Sequence, residues 1–103
     1  MPTYVLLSTL TPEGRQTLHK DPDRLEEVNQ EIGDFGCNIL AQYAVLGQCD
    51  FITVIEAPDN ETVAHLSVDL GSSGTVNIVT LPAIPIAALR AKLKGPKQIG
   101  KTY

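Results

Sequence analysis

No run in the sequence approaches the ~18 consecutive apolar residues of a membrane-spanning helix, which sets aside functions built on helical membrane spans. No basic segment followed by an apolar stretch stands at the start, so no secretory signal is expected and a cytoplasmic location is the default reading. Cysteine is scarce: Cys37 and Cys49 are the two present, with no CxxC spacing and no histidine at metal-site spacing. Both are expected to be free thiols, and neither a metal site nor a cofactor is expected. The glycine-rich turn Gly71-Ser72-Ser73-Gly74 lacks a lysine and follows a helical stretch rather than a strand, so it fails the context of a phosphate-binding loop. Acids are missing after Asp69, whereas seven lie between Glu13 and Asp34 and five bases occupy the stretch from Arg90 to Lys101.

What is present is a chain of 103 residues, 43% hydrophobic and 19% charged, which is the composition of one globular domain without disorder or a disulfide scaffold. A domain this small buries roughly 60 to 65% of its unfolded surface, so its core is modest and a partner subunit is no surprise. The net charge of -4 argues for solubility and against nucleic acid as the main partner. The reading is one domain over residues 1–94 and a polar basic tail over 95–103.

Hydrophobic periodicity gives the order of elements. Residues 3–10 are too short for a typical helix and rich in strand formers. Thr11-Pro12-Glu13 supplies an N-cap, a proline at the first helical position and an acid in the first turn. Gly14 and Asp21-Pro22 weaken that helix, which resumes after Asp21 with Leu25, Val28, Ile32 and Phe35 on one stripe and Glu26, Glu27, Glu31 and Asp34 free to face water. Gly36 is its stop. Residues 38–46 and 51–57 read as two strands joined by Gly47-Gln48-Cys49-Asp50. Asp59 caps a helix whose apolar face is Val63, Leu66, Ser67 and Leu70. A fourth strand follows at 75–81, then a connector set by Pro82 and Pro85, and a short helix over 86–93.

This βαββαβ order is the ferredoxin-like α+β pattern, with a four-stranded antiparallel sheet and helices on one face. The uncovered face is expected to need hiding, because alternate positions in the second and third strands are apolar on both sides: Ile39, Ala41, Tyr43 and Val45 against Leu40, Ala44 and Leu46, and Phe51 and Ile55 against Ile52 and Val54. A homodimer or higher oligomer through that sheet face is the expected assembly, with burial of ~1,000 Å² or more.

Several stretches carry a resemblance: Met1-Pro2-Thr3-Tyr4-Val5-Leu6-Leu7, Leu10-Thr11-Pro12-Glu13-Gly14, Leu40-Ala41-Gln42-Tyr43, Gly47-Gln48-Cys49-Asp50-Phe51, Glu56-Ala57-Pro58-Asp59 and Gly71-Ser72-Ser73-Gly74-Thr75-Val76. On these the chain resembles the GYD domain family of small bacterial and archaeal proteins. The resemblance implies a ferredoxin-like fold of the dimeric α/β-barrel group and no established reaction. Gly47 and Asp50 match the flanks of the family's Gly-Tyr-Asp signature, while Cys49 occupies the place of its tyrosine. A role that needs the phenol is thereby in doubt, and a role in turn geometry survives.

Candidate chemistry is sparse. Asp50, His65, Tyr43 and Cys49 are the catalytic candidates: a strand-end carboxylate, a histidine beside the apolar stripe, a phenol and a thiol. Each has a structural alternative as turn former, surface histidine, seam residue or packed hydrophobe. His19 ends the first helical piece and carries the same surface reading. Ser8, Gln42, Thr53 and Asn77 are polar residues inside strands and therefore candidates for a ligand pocket, with cross-strand pairing as the alternative. Two functions compete. One is a homo-oligomeric module that binds a small ligand or a protein partner. The other is a cofactor-independent enzyme of monooxygenase or isomerase type, acting on an aromatic or polyketide-like substrate near Tyr43, His65 and Asp50. A closed apolar cavity of ~300 Å³ or more would mark the second.

Overall fold

The computed structural model describes residues 1–96. The chain runs β1 (Thr3–Leu10), α1 (Pro12–Lys20), α2 (Arg24–Asp34), β2 (Asn38–Ala44), β3 (Phe51–Glu56), α3 (Asn60–Gly71), β4 (Val76–Ala83) and α4 (Ile86–Leu93). The basic tail expected from residue 95 lies, from residue 97 onward, outside the described residues.

Local chemistry explains the helix boundaries. Thr11 is extended and its hydroxyl accepts the Gly14 N–H at 3.1 Å, so α1 starts on a side-chain cap with Pro12 behind it. The helix ends at Lys20, because Pro22 disfavours helical geometry at Asp21. α2 terminates where Gly36 takes a φ of 77°, a conformation that favours glycine. Asp59 caps α3 by accepting the Thr62 N–H at 2.8 Å.

The sheet is antiparallel in the order β2-β3-β1-β4. Tyr4 and Leu6 of β1 and Ile55 of β3 meet Val63 and Leu66 of α3 and Ile32 of α2, with Cys37 and Ala57 completing the buried core. The helices over this core cover one sheet face only.

The expectation of a dimeric α/β barrel needs correction. The sheet is open and uncurled, with β2 and β4 as separate edges that pair with no further strand among the described residues. Closure would require those edges to pair, and among the described residues they stand at opposite ends of the sheet. The architecture is therefore a four-stranded antiparallel sheet with four helices, of α+β type.

Two boundaries and one register also differ from the periodicity. β2 stops at Ala44, because beyond it the Val45 N–H reaches only the Asp50 carbonyl, at 2.9 Å, and Leu46 stands in solvent. β4 continues through Pro82, which pairs in register with Tyr4. An edge strand tolerates a residue without an N–H, so the proline does not end it. In β2 the register jumps between Ile39 and Ala41, which inserts Leu40 as a bulge residue. Ile39 opposes Ile55 on the helix side, whereas Ala41 opposes Val54 on the open side, so these two residues do not share a face.

Candidate functional site

The helical side of the sheet holds a cleft. α1 and the start of α2 stand off the strands, and the space beneath them is about 120 Å³. Leu10, Leu18, Val28 and Phe51 form its apolar wall. Its polar wall is built from three elements of the sheet and one helix: Ser8 on β1, Gln42 and Thr53 on β2 and β3, and Asn29 on α2. The β2 bulge places Gln42 opposite Thr53, so its amide donates to the Thr53 hydroxyl at 3.1 Å. The same amide pairs reciprocally with Asn29, Asn29 Nδ2 donating to Gln42 Oε1 at 2.9 Å and Gln42 Nε2 donating to Asn29 Oδ1 at 3.1 Å. Thr53 is buried, so this network satisfies a hydroxyl that would otherwise be costly to leave unpaired. Arg24 also lines the cleft and donates to Glu27 at 2.9 Å and to Glu31 at 3.2 Å. Its bond to Glu27 holds the guanidinium still further above its ordinary range, with Glu31 adding and partial desolvation opposing. Leu25, read as part of the buried stripe, is exposed beside it, because α2 is lifted from the sheet at this end.

A shallower groove lies between α3 and β4, bordered by Tyr4, Asn60, Ser67 and Thr80. The Tyr4 hydroxyl donates to Asn60 Oδ1, and the Ser67 and Thr80 hydroxyls are 2.8 Å apart. Burial pushes the Tyr4 phenol above its ordinary value, and Asp59 and Glu61 push in the same direction.

The other sheet face is bare of any covering element among the described residues. Register places Val5 and Leu7 of β1, Ile52 and Val54 of β3, Ala41 and Tyr43 of β2, and Val79 and Leu81 of β4 on it together. Tyr43 is 64% exposed and Val79 56%, both on outer strands. Contiguous apolar patches of this kind are uncommon on the exposed surface of a monomeric protein.

The candidates separate accordingly. Ser8, Gln42 and Thr53 come together in the cleft, while Asn77 opposes Thr9 on the open face of the edge strand and does not. Tyr43 faces the bare side. His65 lies on α3 across the sheet from it, exposed, 3.6 Å from Asp69 and edge-on to the Phe35 ring at 5.0 Å. Asp50 ties the loop to β1: its carboxylate accepts the Leu10 N–H at 2.7 Å and its own N–H donates to the Ser8 carbonyl at 2.8 Å. Gly47 adopts a φ of 139° in the same loop, in keeping with a turn-shaping role. Cys49 is half-buried between them. Asp50, Cys49, Tyr43 and His65 line neither the cleft nor the groove. Among the described residues no three His, Cys, Asp or Glu side chains converge as a metal site would require. No helix among them is long and apolar enough to cross a membrane. Sequence reasoning did not single out Arg24, Asn29 and Glu31 for the cleft. Their signal was their place beside the Val28 and Ile32 stripe, where a helix turns its flank to the sheet.

Comparison with known proteins adds to this geometry. The family model of the GYD domain matches residues 4–93. A relative from Thermus thermophilus, named glutamine synthetase and cystathionine beta-lyase binding protein, is 55% identical over 95 residues, which span 91% of this chain and all of that protein. No solved structure matches the chain.

Proposed function

The chain belongs to the GYD domain family, and on that premise we propose that it is a self-associating, protein-binding module. Its partners are enzymes of the kind that name the Thermus relative, glutamine synthetase and cystathionine β-lyase. The observation that carries this reading is the bare sheet face, where Val5, Leu7, Tyr43, Ile52, Val54, Val79 and Leu81 share one side that no described element covers. Self-association hides that face and leaves the helical side outward. The outward side is acid-rich, since seven acids lie between Glu13 and Asp34, and it is the surface offered to a partner enzyme.

The competing reading, a cofactor-independent oxygenase or isomerase, has less support. The cleft of about 120 Å³ is nearer to a benzene-sized void than to the ~300 Å³ or more of a typical substrate pocket, and the groove between α3 and β4, about 390 Å³, lies open to solvent and is not a closed cavity. Its polar groups also bond chiefly to one another.

The test combines light scattering with biolayer interferometry against purified glutamine synthetase and cystathionine β-lyase. The expected results are a dimer or larger species at ~50 µM, loss of that species in Tyr43→Asp, and enzyme binding that weakens as salt rises through ~0.5 M. A monomeric chain that binds neither enzyme at ~100 µM refutes the proposal.

A further inference from the structure

The segment after β4 leaves the body of the molecule. Every residue from 84 to 94 is exposed, and α4 buries none of its side chains. The radius of gyration is 17.0 Å, against ~13 Å for a compact chain of this length. The longest dimension is 60 Å, against 29 and 20 Å for the other two. An eight-residue helix is marginal alone in water and draws its stability from packing an apolar face. At 100° per residue, Ile86, Leu89 and Leu93 fall on one narrow stripe, with Ile86 73% exposed, and Arg90 and Lys92 flank that stripe on opposite sides.

The same molecule presents a surface that fits this arm. The bare sheet face is apolar through Val5, Leu7, Val54 and Leu81, and its strands carry one acid on that side, Glu56, in register with Thr3. Glu56 makes no ion pair with any described residue, and neither do Arg90 and Lys92. An arm with an apolar stripe bordered by cations thus matches an apolar face marked by one anion. The arm stands clear of its own chain's face, so the occupant that matches in both apolarity and charge is a second copy.

We propose that α4 of one copy lies across the open sheet face of a second, setting Ile86, Leu89 and Leu93 on the apolar strands and Arg90 or Lys92 beside Glu56 of the partner subunit. A two-fold axis makes the exchange reciprocal, so two arms cover two faces. The inference rests on the self-association described above and names the element that completes it.

Sedimentation equilibrium on the full chain tests it. Leu89→Asp alters no core residue, so its circular dichroism stays that of the wild type while self-association weakens tenfold or more. Glu56→Arg weakens association, as does Arg90→Glu combined with Lys92→Glu, and all three changes together restore it to within about threefold of wild type. If Leu89→Asp leaves association unchanged while Tyr43→Asp abolishes it, the arm exchange is wrong and the sheet-face reading stands. If the wild-type chain is monomeric, both fall.

Discussion

Replacing Gly14 with alanine reverses the usual sign of a helix substitution. In a helix interior, alanine is favoured over glycine by ~1 kcal/mol, so propensity alone predicts stabilisation. At Gly14 a Cβ would lie 2.0 Å from the Thr75 carbonyl oxygen and 2.9 Å from its carbon, and both are backbone atoms. Reaching ordinary contact requires a shift of roughly 1.4 Å, the difference between 3.4 and 2.0 Å. That shift is resisted, because the Thr11 N–H donates to the same Thr75 oxygen at 3.0 Å and the Thr11 hydroxyl donates to the Gly74 carbonyl at 2.8 Å. Overpacking costs about 1 to 3 kcal/mol, and a displaced backbone bond adds about 1 kcal/mol. Net of the propensity gain, Gly14→Ala is destabilised by ~2 kcal/mol, which lowers Tm by roughly 8 to 16 °C in a domain of this size. Gly33 is the internal control: it lies in α2, and nothing beyond its own helix comes within 4 Å of the place a Cβ would take. Gly33→Ala therefore gains up to ~1 kcal/mol and melts higher by roughly 4 to 8 °C. Thermal melts followed by circular dichroism measure both. A Gly14→Ala protein that melts at or above the wild type refutes the close approach of α1 to the loop before β4.

Asp50→Ala, which removes the acceptor for the Leu10 N–H, lowers stability by ~1.5 kcal/mol, at the low end for a carboxylate bond because the site is partly exposed. Asp50→Asn keeps an acceptor and loses less; an unchanged urea midpoint in the alanine variant contradicts the stitching role. Asp59 is held below its ordinary carboxylate value by the Thr62 hydroxyl and N–H. Its contribution is therefore present above the unfolded pKa of ~3.9 and lost as pH falls through the lower folded value. Melts from pH 6 to 2.5 should show a shallower acid slope in Asp59→Asn, and equal slopes would remove the argument. Burial, with Asp59 nearby, pushes the Cys37 thiol up, so iodoacetamide at neutral pH should label the native chain once, at Cys49, and reach Cys37 only on unfolding. Equally fast labelling of both thiols would mean that Cys37 is not enclosed.

Local signals were legible where the physics is local. Asp21-Pro22 divides α1 from α2 because proline acts on its immediate neighbour. Asp59 caps α3, and Val63 and Leu66 enter the core, because capping and 3.6-residue periodicity are read within one or two turns. The cleft was legible only in its parts. Ser8, Gln42 and Thr53 were marked as polar strand residues, but strand register brings them together and a helix 13 residues away in sequence supplies Asn29. Asn77 carried the same mark and lies on the opposite face, since alternation along β4 is not anchored until its pairing with β1 is known. Sheet closure is a property of the edges, which no single strand's pattern encodes. Likewise, the periodicity of α4 shows an apolar stripe without saying which chain covers it.

The bulge at Leu40 ties these failures to function. Strict alternation through β2 would keep Ile39, Ala41 and Tyr43 on one face, and because Ile39 packs against the core that face would be the helical one. Tyr43 would then crowd the cleft, and Gln42 would project from the bare face as an uncompensated amide. The extra residue moves the phase by one. Gln42 turns inward to Thr53 and Asn29, Tyr43 joins Ile52 on the bare face, and Leu40 is left 54% exposed at the edge. One inserted position thus assigns the polar residue to the cleft and the aromatic residue to the bare face, and both surfaces depend on it.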